Sequence, residues 1–149
     1  MNNKRTRSFA ALLLVLLVAA CASSGTPASS ESNRLGATLV VERFLRAANA
    51  KDLDTMAELF GTKEGPFNRM GSKKENDDRM FIFATVLKNS ASMIKGEGDP
   101  VSGRRDEAFN LLVEVTQNQR KTTVPFPMVQ YKNGWLIEQF DLEKLTSPR

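Results

Sequence analysis

The spacing of apolar residues changes along the chain, and each change predicts a different kind of structure. Residues 9–20 form a continuous apolar run. Between residues 39 and 89 the apolar positions recur at helical spacing, and beyond residue 91 they alternate with polar ones. A period near 3.6 predicts amphipathic helices, and a period of 2 predicts half-buried strands. Helices followed by strands indicate an α+β fold, with N-terminal helices packed on an antiparallel sheet.

Three segments carry the helical spacing. Asp52 has the short acceptor side chain that favours a helix start, and Gly61 ends the second helix. The stretch 61–76, rich in Gly, Pro and charge, is predicted to be a long loop, a type of segment that is often mobile or functional. The helices are expected at 39–50, 53–60 and 77–89.

The alternating part of the chain predicts four strands. Residues 117–119 are a turn candidate, and Asn133-Gly134 is a hairpin signal for a type I′ turn. Pro125 and Pro127 lack N–H groups on the same edge of one strand, which predicts an exposed edge, a bulge or a bend there. The strands are expected at 92–96, 109–116, 121–132 and 135–142, with a loop through residues 98–103.

The first residues have the features of a secretory signal. Lys4, Arg5 and Arg7 precede the apolar run 9–20, which is shorter than the roughly 20 residues of a membrane-spanning helix. The run ends at Ala20-Cys21. Small residues also close ordinary secretory signals, and Cys21 would then be a small buried hydrophobe.

Leu-Val-Ala-Ala-Cys, ending at Cys21, resembles the bacterial lipobox. The resemblance implies cleavage between Ala20 and Cys21, and a diacylglyceryl group and an N-acyl chain on Cys21. It divides the chain into a signal peptide (1–20), a lipidated cysteine with a flexible Ser- and Ala-rich tether (21–34), and one domain (35–149). Ala22, in place of Asp, implies the outer membrane, with the domain facing the periplasm.

Charge gives no sign of a nucleic acid partner. Three of the 21 Lys and Arg residues precede Cys21, and the rest nearly balance 17 acidic residues. The short basic pairs Lys73-Lys74 and Arg104-Arg105 are each followed by acidic residues, whereas nucleic acid recognition uses a clustered basic face. We expect no nucleic acid to bind.

Residue types missing from the chain limit its chemistry. It has no histidine, and Cys21 is its only cysteine. Histidine-ligated zinc, Ser-His or Cys-His nucleophiles and a disulfide framework are therefore excluded. The acidic run 75–78 lacks the alternating spacing of a calcium loop and is interpreted as a helix start. We expect no cofactor and no metal.

Two segments resemble the superfamily of nuclear transport factor 2 and ketosteroid isomerase. VVERFLRAANAKDLDTMAELF (40–60) resembles its opening helix pair, and VQYKNGWLIEQFDL (129–142) resembles its final hairpin. The resemblance implies a cone in which helices close one side of a curved sheet, a pocket at the wide end, and dimerisation through the open sheet face. A cystatin-type arrangement, with one helix on an antiparallel sheet, is the alternative fold.

The cone would be lined by large residues from the strands, or these residues would simply fill the core. Glu138, in the last strand, would be a base if it were buried there, as in a ketosteroid isomerase-like enzyme acting on a small apolar substrate, or else a partner for Arg104 or Arg43. The only tyrosine, Tyr131, is expected near a strand end. The residues predicted to line the pocket are Phe109, Phe126, Met128, Trp135 and Glu138.

A non-catalytic module is the favoured interpretation, because the chain shows no recognisable catalytic constellation. Its partner would be a small apolar ligand or an envelope protein, besides the membrane that holds Cys21. Phe81 and Ile82 lie off the main apolar stripe of the third helix. They are expected to pack under the 61–76 loop or to mark a protein-docking surface.

Overall fold

The computed structural model describes residues 28–101 and 108–139. Cys21, the signal peptide and the end of the last predicted strand lie outside these ranges. The helices are α1 (Ala28–Ala50), α2 (Leu53–Leu59) and α3 (Lys73–Val86), with a 3-10 turn at Phe67–Arg69. The strands are β1 (Gly61–Thr62), β2 (Gly65–Pro66), β3 (Ala91–Pro100), β4 (Ala108–Gln117), β5 (Arg120–Tyr131) and β6 (Gly134–Ile137).

The predicted α+β class is confirmed. The strands β3, β4, β5 and β6 form one antiparallel sheet in chain order, and β1 and β2 form a separate small hairpin. One face of the sheet carries the alternate residues that are fully buried, and the three helices cover it. The resulting core includes Val41, Phe44, Met56, Met80, Leu87, Val113, Val124, Phe126 and Ile137.

Helix α1 begins at Ala28, earlier than the predicted start at Leu39. Residues 28–34, predicted to belong to the flexible tether, are therefore helical. Tertiary contacts hold the later part of this extension. Gly36 packs against the indole of Trp135, and Arg34 forms an ion pair with Glu97 of β3. Apolar periodicity could not indicate this segment, because its partners lie about a hundred residues away along the chain or on a strand edge.

The predicted start of α2 is confirmed at atomic detail, since Oδ1 of Asp52 accepts a hydrogen bond from the backbone N–H of Thr55 at 3.0 Å. The prediction for α3 was wrong at its first turn. The helix begins at Lys73 rather than Asp77, behind an N-cap at Ser72. Ser72 and Glu75 form a reciprocal capping box that satisfies two backbone N–H groups.

The segment predicted as a long loop, 61–76, contains the β1–β2 hairpin, the 3-10 turn and the start of α3. The backbone N–H of Phe67 donates to the carbonyl of Phe60 at 2.7 Å. Phe60 in turn forms an isolated parallel bridge with Ile137 of β6. This segment is therefore tied to the edge of the main sheet.

The turn between β4 and β5 is confirmed, with positive φ at both Asn118 and Gln119, as a type I′ turn needs. The last hairpin turns one residue earlier than predicted. Tyr131 pairs with Gly134, so the turn residues are Lys132 and Asn133. Positive φ falls on Lys132, at 52°, and Gly134 is the first residue of β6.

Pro125 and Pro127 lie in the part of β5 that pairs with β4 but, among the described residues, has no ladder pair in β6. Pairing of β5 with β4 runs unbroken through both prolines, so their missing N–H groups lie on the opposite side. β6 ends on that side at Ile137, short of the predicted residue 142. Glu138 still donates its N–H to the carbonyl of Pro127 at 2.8 Å, but Pro127 has no N–H to return.

Strand β3 is longer than the predicted 92–96 and extends to Pro100. Its pairing with β4 shifts register twice, between Ile94 and Gly96 and between Glu97 and Pro100. Gly96 has φ of 128°, a conformation that glycine adopts without strain. Bulges of this kind bend a strand and increase its twist. They allow β3 to continue through the glycines that the sequence suggested were a loop.

Candidate functional site

One end of the helix-covered sheet face carries two half-buried aromatic residues. Phe109 of β4 and Trp135 of β6 meet edge to face, with ring centroids 5.0 Å apart and an interplanar angle of 81°. Gly36 of α1 lies against the indole, where an added Cβ would sit 3.4 Å from Cδ1 of Trp135. We call Gly36, Phe109 and Trp135 the aromatic rim. It joins α1 to two strands of the sheet at a partly exposed position.

An ion pair between α1 and β3 flanks this end of the domain. Arg34 approaches Glu97 with two nitrogens, Nε to Oε1 at 2.7 Å and Nη2 to Oε2 at 3.0 Å. The forked geometry is the strong form of an arginine–carboxylate contact. Both side chains are substantially exposed, so the pair contributes at most about 1 kcal/mol. Its role is to fix the position of the N-terminal part of α1 over the sheet.

Two of the five predicted pocket residues belong to the packed core. Phe126 and Met128 are 0% exposed and are members of the same buried cluster as Phe44 and Ile137. Phe109 and Trp135 pack against this cluster from its end. The structure therefore brings four of the five residues to one face of the sheet. Two of them fill the interior, and two form the rim.

Glu138 is not part of this group. Trp135 and Ile137 face the helices, whereas Leu136 and Glu138 alternate with them and leave the sheet on the other side. The backbone N–H of Glu138 still donates to the carbonyl of Pro127 in β5, so the alternation of faces continues as far as residue 138. Side chains along a strand point to alternate faces, and residues 135 and 138 are three positions apart. Alternation thus assigns Glu138 and Trp135 to opposite faces of the sheet.

Tyr131 lies at the turn end of β5, as predicted. Its ring is half-buried beside the small hairpin, and the Cβ position of Gly65 would be 3.6 Å from its hydroxyl oxygen. Lys132 Nζ lies 5.2 Å from the ring centroid. These contacts place Tyr131 between the small hairpin and the start of β6.

Phe81 and Ile82 form an exposed apolar pair on α3. They are 50% and 53% exposed, so they do not pack under the 61–76 segment. Lys51, at the end of α1, places Nζ 5.6 Å from the centroid of the Phe81 ring. Exposed apolar residues that adjoin one another can mark a contact surface for another molecule.

Displaced pKa values mark the starts of two helices. Hydrogen bonds from Thr55 hold the pKa of Asp52 below 3.8, its ordinary value. Hydrogen bonds from the backbone and hydroxyl of Ser72 likewise hold the pKa of Glu75 below 4.5. Hydrogen bonds to Asp54 and Asp77 raise the pKa of Lys73 above 10.5. Helix capping explains the shifts of Asp52 and Glu75, and ion pairing with two aspartates explains that of Lys73. The shifts therefore point to stability rather than to catalysis.

Asn76 links α3 to the preceding 3-10 turn, a role that no apolar pattern in the sequence indicated. It lies in the acidic run 75–78 and is only 4% exposed. Its Nδ2 donates to the carbonyl oxygens of Phe67, at 2.8 Å, and Met70, at 2.9 Å. The available signal was an uncharged amide within a run of carboxylates, because an amide can donate two hydrogen bonds where an ionised carboxylate can donate none.

Within residues 28–101 and 108–139, no group of three or more acidic, Cys or His side chains is placed to hold a metal ion. None of the helices described there combines the length and apolar character needed to cross a membrane. Comparison of the chain with protein-family models, curated proteins and solved structures finds no match.

Proposed function

We propose that this protein is a lipid-anchored envelope protein whose single domain is a non-catalytic binding or protein-interaction module. The anchor is the lipid on Cys21, and the domain faces the periplasm from the outer membrane. The support for this attachment is the basic start, the short apolar run and the Leu-Val-Ala-Ala-Cys sequence. More than one acyl chain on Cys21 would make the attachment stable.

The domain is proposed to be nuclear transport factor 2-like. Three helices that precede an antiparallel meander, and that cover one of its faces, agree with the order of elements that the resemblance implies. The glycine bulges in β3 add the bends that a cone-shaped sheet requires. This support concerns the architecture, and one architecture of this kind can serve many functions.

The observation that carries the proposed interaction role is the buried cluster beneath the helices. Phe126 and Met128 are 0% exposed, and they pack with residues of all three helices in one cluster. Side chains in such a core interdigitate at close to crystal density. Recognition would then use the outer surface, where Phe81 and Ile82 form an apolar pair on α3. We propose another envelope protein as the partner of that pair.

Small-ligand binding is the second candidate, and the aromatic rim is the observation that favours it. Phe109 and Trp135 are only partly buried and present ring faces and edges at the end of the core. Two such rings can contact a small apolar molecule that enters between α1 and β4. In native mass spectrometry of the protein purified from membranes, a bound apolar molecule lost in Trp135→Ala would support this candidate.

The attachment is tested by replacing Cys21 with serine in the full chain. The natural protein should give an acylated N-terminal peptide by mass spectrometry, and Cys21→Ser should be released from the membrane fraction or keep its signal peptide. An unacylated natural protein with a start beyond Cys21 would contradict the anchor.

The interaction role is tested separately by placing a photo-crosslinking residue at Ile82, with the same residue at exposed Lys74, two helical turns away on α3, as the control. A reproducible protein adduct from position 82, absent from position 74, is expected. Equal labelling at positions 82 and 74 would contradict a docking surface at the Phe81–Ile82 pair.

A further inference from the structure

Two leucines on the outer side of α1 are exposed to solvent. Leu35 is 66% exposed and Leu39 is 58% exposed, and they lie one helical turn apart. At 3.6 residues per turn, Leu35, Leu39 and the exposed Arg46 fall within about 40° of one another around the helix, with the exposed Glu42 about 20° to one side of Leu35. Val41 and Phe44 point the opposite way, into the core. We call Leu35, Leu39 and Arg46 the outer stripe of α1.

The covalent chain keeps the outer stripe close to Cys21. Residues between Cys21 and the start of α1 at Ala28 span at most about 25 Å, even when extended. The helix from Ala28 to Leu35 adds about 10 Å. Leu35 therefore lies within about 35 Å of the lipidated sulfur whatever path the chain takes. A lipid on Cys21 would hold the outer stripe near the bilayer surface.

The other exposed apolar pair is at the far end of α1. Phe81 and Ile82 lie beside Lys51, which directly follows the last residue of α1. Leu35 and Lys51 are about 24 Å apart along the helix axis at 1.5 Å per residue. The two pairs have similar exposure but different distances from the anchor. They therefore form a natural comparison for membrane contact.

We infer that the outer stripe of α1 rests on the bilayer surface. Leu35 and Leu39 enter the boundary between headgroups and acyl chains, and the Arg46 guanidinium contacts anionic headgroups. Two leucines are too few for stable binding by themselves. The anchor makes the contact intramolecular and raises the effective concentration of the surface, so a weak contact is sufficient. The inference rests on the proposed attachment through Cys21.

Single-cysteine labelling tests this orientation. Cys21 is the only natural cysteine, and a thioether-linked lipid would block its sulfur, so an introduced cysteine is the one free thiol. The full chain carrying Leu39→Cys is purified from bacterial membranes and labelled with an environment-sensitive fluorophore. It is then incorporated into vesicles of phosphatidylethanolamine and phosphatidylglycerol. Ile82→Cys is the matched control, because both side chains are more than half exposed.

We expect both proteins to float with the vesicles. Emission from the label at position 39 should shift to shorter wavelength and be quenched by doxyl lipids, whereas the label at position 82 should behave as in buffer. Flotation with equal, water-like emission at both positions would overturn the inference and leave the anchor intact. A shift at position 82 alone, or at both positions, would also overturn it. Failure to float, with labelling at Cys21 of the parent chain, would refute the proposed anchor and the inference together.

Discussion

The buried amide of Asn76 gives the sharpest test of how the segment between β2 and α3 is held. Nδ2 of Asn76 donates to the carbonyl oxygens of Phe67 and Met70 at 2.8 and 2.9 Å. Both bonds reach backwards along the chain, from the first turns of α3 to the 3-10 turn. Asn76→Ala removes both donors and leaves the two carbonyls without these partners.

The expected cost follows from the two bonds. Each contributes about 1 kcal/mol net, and more if a carbonyl remains buried and unpaired. The higher helix propensity of alanine offsets about 0.5 kcal/mol of this loss in stability. We therefore expect the free energy of unfolding to fall by about 2 kcal/mol. Asn76→Asp should be more destabilised than Asn76→Ala at neutral pH, because an ionised carboxylate at this position can only accept hydrogen bonds and would face two carbonyl oxygens.

Urea unfolding of the full chain measures this change, followed by far-UV circular dichroism and by the fluorescence of Trp135, the only tryptophan. Asp78→Ala is the matched control, since Asp78 lies on the same helix and its side chain is 67% exposed. That change should cost less than about 1 kcal/mol. If Asn76→Ala cost no more than Asp78→Ala, the two amide hydrogen bonds would not be what holds the segment.

Three other substitutions test backbone space, core packing and helix capping. Gly61→Ala places a Cβ against the carbonyl oxygen of Gly65 and should lower the free energy of unfolding by about 1–3 kcal/mol. An unchanged midpoint in urea unfolding would show that the β1–β2 hairpin can shift to accept the Cβ without cost. Phe126→Ala should cost about 3–5 kcal/mol, well above the half-buried Phe109→Ala, and equal costs would argue against the buried cluster beneath the helices. Glu75→Gln should lower the melting temperature by its full amount above pH 4.5, the ordinary pKa of the group. Because the pKa of Glu75 is depressed in the folded state, the difference should shrink below pH 4.5 and disappear as pH falls through that depressed pKa, and a pH-independent difference would contradict the capping box.

Local signals in the sequence identified the elements whose stabilising partners are close in the chain. Asp52 caps α2 through a residue three positions away, and the turn at Asn118 and Gln119 joins adjacent strands. Alternation from Phe109 onwards assigned the buried face of β4 correctly. Such signals are readable because period and turn chemistry are properties of a few consecutive residues.

Element ends were predicted poorly wherever a distant partner sets them. Arg34 and Gly36 extend α1 through contacts with Glu97 and Trp135, and neither contact leaves a periodic trace in the helix itself. β6 stops where Pro127 of the neighbouring strand cannot donate a hydrogen bond. Propensity and period describe one segment at a time, whereas the ends of α1 and β6 each depend on contacts between two segments.

For the candidate site, too, the sequence predicted one part and the tertiary structure decided the rest. The sequence nominated the large residues of the sheet correctly, but it could not decide which of them fill the core. Phe126 and Met128 became interior residues because their strand lies between β4 and β6 beneath the helices. Phe109 and Trp135 became the rim because the helices leave them partly uncovered. For Glu138 the sequence already held the relevant signal, because strand alternation places it on the opposite face of the sheet from Trp135.

The sequence by itself determined the order of the three helices and of the four strands of the main sheet, the buried face of β4, and the absence of histidine and of any thiol besides Cys21. The tertiary structure alone decided that Leu35 and Leu39 are exposed, since helical spacing counts an apolar residue without showing whether another element covers it. It also decided that Asn76 is buried and bonded. The physical reason is that burial depends on which surfaces meet in three dimensions, whereas the chain encodes only the pattern that each element presents.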